Sequence, residues 1–114
     1  MLHLGLHLAV PLLIARLAYS ERWLRVSAIL LATMLVDLDH LLATPIYDPA
    51  RCSIGFHPLH TLPAIAIYAL LFALPLLLTR RRKTSGLPSR AWYLHLVGLG
   101  LLLHMALDWV DCLV

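Results

Sequence analysis

HLGLH at residues 3–7, DLDH at 37–40, HPLH at 57–60 and HMALD at 104–108 set imidazoles and carboxylates into a chain otherwise rich in leucine. His nitrogen and Asp oxygen are donors that zinc, manganese and iron(II) accept, so the chemistry these residues suggest is coordination of a divalent ion. Helical spacing decides which of them can converge. His3 and His7 are four apart, His57 and His60 three apart, and His104, Asp108 and Asp111 follow at four and then three, so each set shares one helix face. Asp37 and His40 also share a face, whereas Asp39, about 200° around an α-helix from Asp37, does not. Asp39 therefore requires the helix to loosen before Pro45, or it serves beside a ligand, at a second ion, or against Arg51.

The elements that must carry these residues are apolar. Of 114 residues, 61% are hydrophobic and 13% charged, and the mean hydropathy is +0.86, more than a soluble core needs. Four stretches, about 2–19, 23–43, 57–78 and 91–113, approach the ~20 residues that cross the hydrocarbon of a bilayer. Pro45 closes the second, Pro58 opens the third, and RRRKTSGLPSR at 80–90 separates the third from the fourth. No short apolar segment with a cleavage site follows a basic start, so a cleaved signal peptide is not expected. Lipid leaves unpaired backbone groups no partner, so apolar spans must be helices. The expectation is one all-α domain over residues 1–114, an integral membrane four-helix bundle with antiparallel up-down topology.

Charge gives that bundle a direction. Arg16, Arg22 and Arg25 flank the first connection, and Arg80, Arg81, Arg82, Lys83 and Arg90 flank or fill the third, leaving only Arg51 of the nine basic residues elsewhere. Both connections lie at one end of an up-down bundle, and the positive-inside rule makes that end cytoplasmic, with both termini extracytoplasmic. The net charge of +3 is thereby explained by topology, which argues against a nucleic-acid partner. Every aspartate, and every histidine except His95, falls in the opposite half. His95, set apart, is expected to be a hydrogen bonder between helices.

A carboxylate at membrane depth costs roughly 2.5–3.5 kcal/mol on insertion scales, and a bound dication offsets that cost. His3, His7, Asp37, His40, His57, His60, His104 and Asp108 form the candidate ligand set for one or two ions, zinc first. Asp37 and Asp39 are the candidate proton acceptors, and surplus carboxylates can orient imidazoles. A proton relay or interhelical hydrogen-bond network among the same residues is the alternative. Pro11 is expected to kink the first helix beneath His7, and Pro63 to do the same to the third. Arg51 is a candidate to hold a substrate phosphate or carboxylate, or else pairs with Asp48. Cys52 and Cys112 share the outer, oxidising side, where a disulfide would tie the loop over the site. Tyr19, Trp23, Trp92, Tyr93 and Trp109 suit an interfacial aromatic belt. Gly98 and Gly100 permit a close helix contact, as in an assembly subunit whose site closes against another protein or in a homo-oligomer.

One such motif per span, in this order, resembles the YdjM-like family of small bacterial inner-membrane metal-dependent hydrolases, itself distantly similar to zinc-dependent phospholipase C. The resemblance rests on His7 or His3, on Asp37, Asp39 and His40, on His57 and His60, and on His104 and Asp108. It departs at HPLHT, where that family usually has Arg in place of Pro58 and more widely spaced histidines. It implies a hydrolase in the inner membrane with its site toward the periplasm, acting through a metal-activated water on a lipid or lipid-linked phosphoester or ester. A non-enzymatic metal-binding, sensing or transport protein is the alternative. HExxH, GxSxG and P-loop signatures are absent from the sequence.

Overall fold

A computed structural model describes residues 2–42, 52, 54–82 and 89–113. Asp48 and Arg51 lie outside the described residues, as do the side chains of His3 and His40. Helix α1 is Leu2–Ala18, α2 is Trp23–Ala32, α3 is Leu62–Arg82 and α4 is Ser89–Leu113, with one 3₁₀ turn at Ser20–Arg22 and another at Pro58–His60. No strand occurs among the described residues, so the chain is all-helical.

Two departures from regular α-helix shape the polar end of the bundle. The second apolar stretch stays α-helical only to Ala32 and continues as a 3₁₀ helix over Thr33–Leu42. Burial records the change of period: Val26, Ser27 and Leu30 recur at α-helical intervals, then Thr33, Val36 and Asp39 recur every third residue. The helix tightens where loosening was one expectation. The Thr33 hydroxyl donates to the Leu30 carbonyl at the junction. Gly100 of α4 makes room there, since a Cβ on it would lie 2.7 Å from Thr33 Cγ2.

The third helix begins at Leu62, five residues later than expected. Pro58 forces the preceding residue out of helical geometry, and His57 is extended at φ −80°, ψ 146°. One 3₁₀ turn follows, Thr61 is extended again, and α3 then starts. Pro63 sits in the first turn of α3, where a missing N–H breaks no bond, so it does not bend the helix. The proline in the body of α3 is Pro75, and the one in α1 is Pro11.

Helix α4 packs against α1, α2, α3 and the 3₁₀ segment, and is the central element. It approaches α3 closest at Gly98, where a Cβ would lie 2.8 Å from the Leu71 carbonyl carbon and 2.9 Å from Phe72 Cα. From bottom to top along α4, the interior is layered. Ala15, Val26, Leu30 and Leu96 form one apolar layer, edged by Tyr19, Trp23 and Trp92. Val36, Tyr68 and Met105 form the next, with His104 beside it and Asp108 beyond. The Arg16 and Arg22 guanidinium groups lie over the Trp23 and Trp92 rings, at 5.1 and 5.5 Å, at the lower end.

Arg90–Leu113 is long and apolar enough to cross a membrane. Leu4–Ala18 and Ser20–Asp39 meet that standard only when taken together, and they are bent 118° from each other; Leu62–Leu78 is apolar but shorter. The described residues thus form four α-helices, one of which has clear spanning length.

Candidate metal centre

The upper end of the bundle is polar inside. His7, Asp39, His57, His60, His104 and Asp108 are all buried there. Asp37, His60, His104 and Asp108 each turn one ligand atom inward, and these four atoms lie within 4.8 Å of one another. His104 Nε2 is 2.9 Å from Asp37 Oδ1 and 3.4 Å from Asp108 Oδ2. His60 Nε2 is 3.0 Å from Asp108 Oδ2 and 3.3 Å from Asp37 Oδ1. Tetrahedral zinc with bonds of ~2.0–2.1 Å would separate its ligands by about 3.3 Å. Four of the six edges of such a tetrahedron are thus already near length. Two imidazoles and two carboxylates are also a donor set that zinc, manganese and iron(II) accept. The residues fit a divalent ion on both counts.

Local structure explains why these atoms meet. His104 and Asp108 lie one turn apart on α4 and face the same way. Asp37 follows the buried residue Val36, so in a 3₁₀ helix it sits about 120° around from the buried row, at its edge. Its side chain is accordingly 34% exposed, against 3% for Asp39 and Asp108. His60 ends the short turn set up by Pro58. Gly55, at φ +83°, lets that loop fold back so that its N–H donates to the His60 carbonyl, 2.9 Å away. The Tyr68 hydroxyl donates to the Leu59 carbonyl at 2.8 Å and ties the turn to α3.

The remaining residues expected at the site are placed around this group. Asp39 Oδ2 accepts from His60 Nδ1–H at 3.0 Å and from the Leu59 N–H at 2.8 Å, so Asp39 sits behind an imidazole. An α-helix would have turned Asp39 away from Asp37. The eclipsed 3₁₀ row of Thr33, Val36 and Asp39 turns it inward. His7 Nε2 lies 3.1 Å from Asp108 Oδ1, on the far side of that carboxylate, and its ring meets the His104 ring edge-on at 4.5 Å. His57 packs its ring against His60 and Phe56, and is outside the four-residue group. Asp111 is exposed. Cys52 and Cys112 form a disulfide, which fastens the loop before His57 to the last turn of α4.

His95 stands apart, as expected. Its Nδ1–H donates to the Phe72 carbonyl at 3.0 Å and its Nε2 accepts from the Tyr19 hydroxyl at 2.9 Å, joining α4 to α3 and to the end of α1. Both ring nitrogens are satisfied in the neutral form. Beneath His7 and His104, the space bounded by Pro11, Leu30, Met34 and Gly100 is too narrow for a water molecule.

No curated protein and no solved structure matches the chain. Residues 1–88, which carry His7, Asp37, Asp39, His57 and His60, match the model of a family of unknown function, and the chain belongs to that family, DUF6122.

Proposed function

We propose that the protein is a membrane-bound metal-dependent hydrolase whose ion is held by Asp37, His60, His104 and Asp108. The observation that carries this reading is the four-atom group itself. A buried carboxylate, Asp108, and a half-exposed one, Asp37, face imidazoles from separate elements at spacings a divalent ion requires. Zinc is the first choice of metal, since two imidazoles and two carboxylates at near-tetrahedral spacing suit it. The ordered motifs that resemble the YdjM-like family support hydrolysis over passive binding.

The case for a bilayer rests on the surface. Leu42 is 76% exposed, Leu17 74% and Leu62 73%, while the interior holds Asp and His. So exposed a leucine surface suits lipid, where leucine outside costs nothing and polar side chains turn inward. We read the four helical stretches as an antiparallel four-span bundle in the inner membrane. Its cationic end faces the cytoplasm and its cluster faces the periplasm, the side on which a Cys52–Cys112 disulfide persists.

The chain's own groups then divide the work. Asp108 reaches His7 through one oxygen and His60 and His104 through the other, so it fixes three imidazoles at once. Asp37 is the one carboxylate of the three that reaches solvent, and we assign it proton transfer with a water at the site. A divalent ion held by these residues would supply Lewis acidity, lowering the pKa of a water to about 7 and polarising a phosphoryl or acyl oxygen. The substrate is a lipid or lipid-linked phosphoester or ester. An apolar groove of about 590 Å³ between α2, α3 and α4 is lined by Ile29, Leu35, Val97 and Leu101, and also by Val36 and Leu59. Those two residues directly precede Asp37 and His60, so the groove supports a substrate with a hydrocarbon chain.

Elemental analysis of detergent-purified protein, beside Asp37→Ala and His104→Ala, tests the centre. Both variants should lose bound metal, and unchanged stoichiometry in both would refute it. A lipid-extract screen with and without chelator tests hydrolysis. The competing reading is transport. The constriction beneath His7 and His104 argues against it, and metal uptake into proteoliposomes would overturn ours.

A further inference from the structure

Asp39 is buried, and the proton transfer assigned to Asp37 does not use it. In sequence the two stand side by side as equal candidates for that role. The geometry separates them. A base must reach a water, and the Asp39 side chain is 3% exposed, under the turn that carries Leu59 and His60. A single oxygen, Oδ2, takes both hydrogen bonds from that turn, one from a main-chain N–H and one from an imidazole. A carboxylate accepting from His Nδ1 leaves the Nε2 lone pair for whatever lies on the other side, and here that side holds Asp37 and Asp108. His104 has no such support, because its Nδ1 is buried with no hydrogen-bond partner among the described residues.

We infer that Asp39 is a positioning residue: through one oxygen it clamps the Leu59–His60 turn and fixes the His60 ring with Nε2 toward the ion. The inference rests on the proposed reading of the cluster as a metal centre. The reason for a clamp at this point lies in the chain. His60 is carried by a short turn between two extended residues, His57 and Thr61, whereas His104 and Asp108 belong to a continuous helix. The ligand on the weakest scaffold is the one that receives an outer carboxylate.

Because one oxygen accepts both bonds, Asp39→Asn can keep them with its amide oxygen in the Oδ2 position. Asp39→Ala cannot. The test uses cobalt(II), whose visible spectrum reports coordination geometry without any turnover. Wild type, Asp39→Asn and Asp39→Ala are purified in detergent, checked for helicity, and titrated with cobalt. Asp39→Ala should bind about 10–100-fold more weakly with an altered absorption band, the usual effect of losing an outer partner. Asp39→Asn should restore both affinity and spectrum. Equal damage in the two variants would overturn the inference, since charge and not hydrogen bonding would then matter, and so would an Ala variant indistinguishable from wild type. Should Asp39→Ala fail to fold, Asp39→Leu takes its place beside Asp39→Asn: an Asn variant nearer wild type in affinity and spectrum than the Leu variant supports the clamp, and equal damage overturns it. Failure of wild-type protein to bind cobalt would remove the metal reading and this inference together, whereas failure of Asp39→Asn alone removes only the inference.

Discussion

At the level of single residues, burial alone does not separate two kinds of polar side chain. His95 and His104 are both buried on α4, nine positions apart, yet their surroundings differ in kind. Around His95 there is one hydroxyl and one carbonyl, enough to satisfy a neutral ring and nothing more. Around His104 there are two carboxylates. His95→Leu should therefore leave bound metal unchanged and lower stability. Interhelical hydrogen bonds in membrane proteins average ~0.6 kcal/mol, so losing two should cost about 1 kcal/mol. Thermal unfolding in detergent alongside metal analysis checks this, and loss of metal in His95→Leu would place that residue in the centre after all. Sequence spacing anticipated the contrast, because the i, i+4 pairing of His104 with Asp108 has no counterpart at His95.

At the level of elements, the outcome depended on whether a local rule was visible in the residue types. The pairing of His104 with Asp108 was legible from α-helical spacing, whereas Asp37 reaches the group from a 3₁₀ helix and His60 from a turn that begins before α3. The placement of Asp39 was not legible, because the residues of TMLVDLDHLL suit an α-helix and a 3₁₀ helix alike, and the choice between them is made by packing against α4. The break before α3 was legible in principle. His57 precedes a proline, and a residue before proline avoids helical geometry. Close packing was half legible: Gly98 and Gly100 signalled a tight contact with another protein, whereas both face elements of this chain. The two differ in what they face. At Gly98 an added methyl meets α3 backbone, which no rotamer change can clear, and Gly98→Ala should destabilise by about 1–3 kcal/mol. At Gly100 it meets the Thr33 side chain, which can rotate, so Gly100→Ala should be milder. Comparing the two unfolding midpoints checks the order, and equal shifts would contradict it.

At the level of the whole molecule, the disulfide joins the two parts of the chain that supply most of the centre. Cys52 lies eight residues before His60, and Cys112 four residues after Asp108, so one bond fastens the turn that carries His60 to the continuous helix α4. Closing a loop with a sequence separation of 60 is worth about 4 kcal/mol in the chain-entropy account. Reduction should therefore lower both stability and metal affinity, and metal analysis after treatment with a phosphine reductant reads the second effect. The same bond offers a test of the proposed direction of the bundle. If the cluster faces the periplasm, a reductant that cannot cross the inner membrane should reach Cys52 and Cys112 in spheroplasts, and a thiol label added afterwards should mark them. Labelling only after the membrane is permeabilised would turn the molecule over, placing the Arg16, Arg22 and Arg25 end outside against the charge rule. The proposed metal centre would survive that reversal unchanged, but the proposed substrate would then come from the cytoplasmic leaflet.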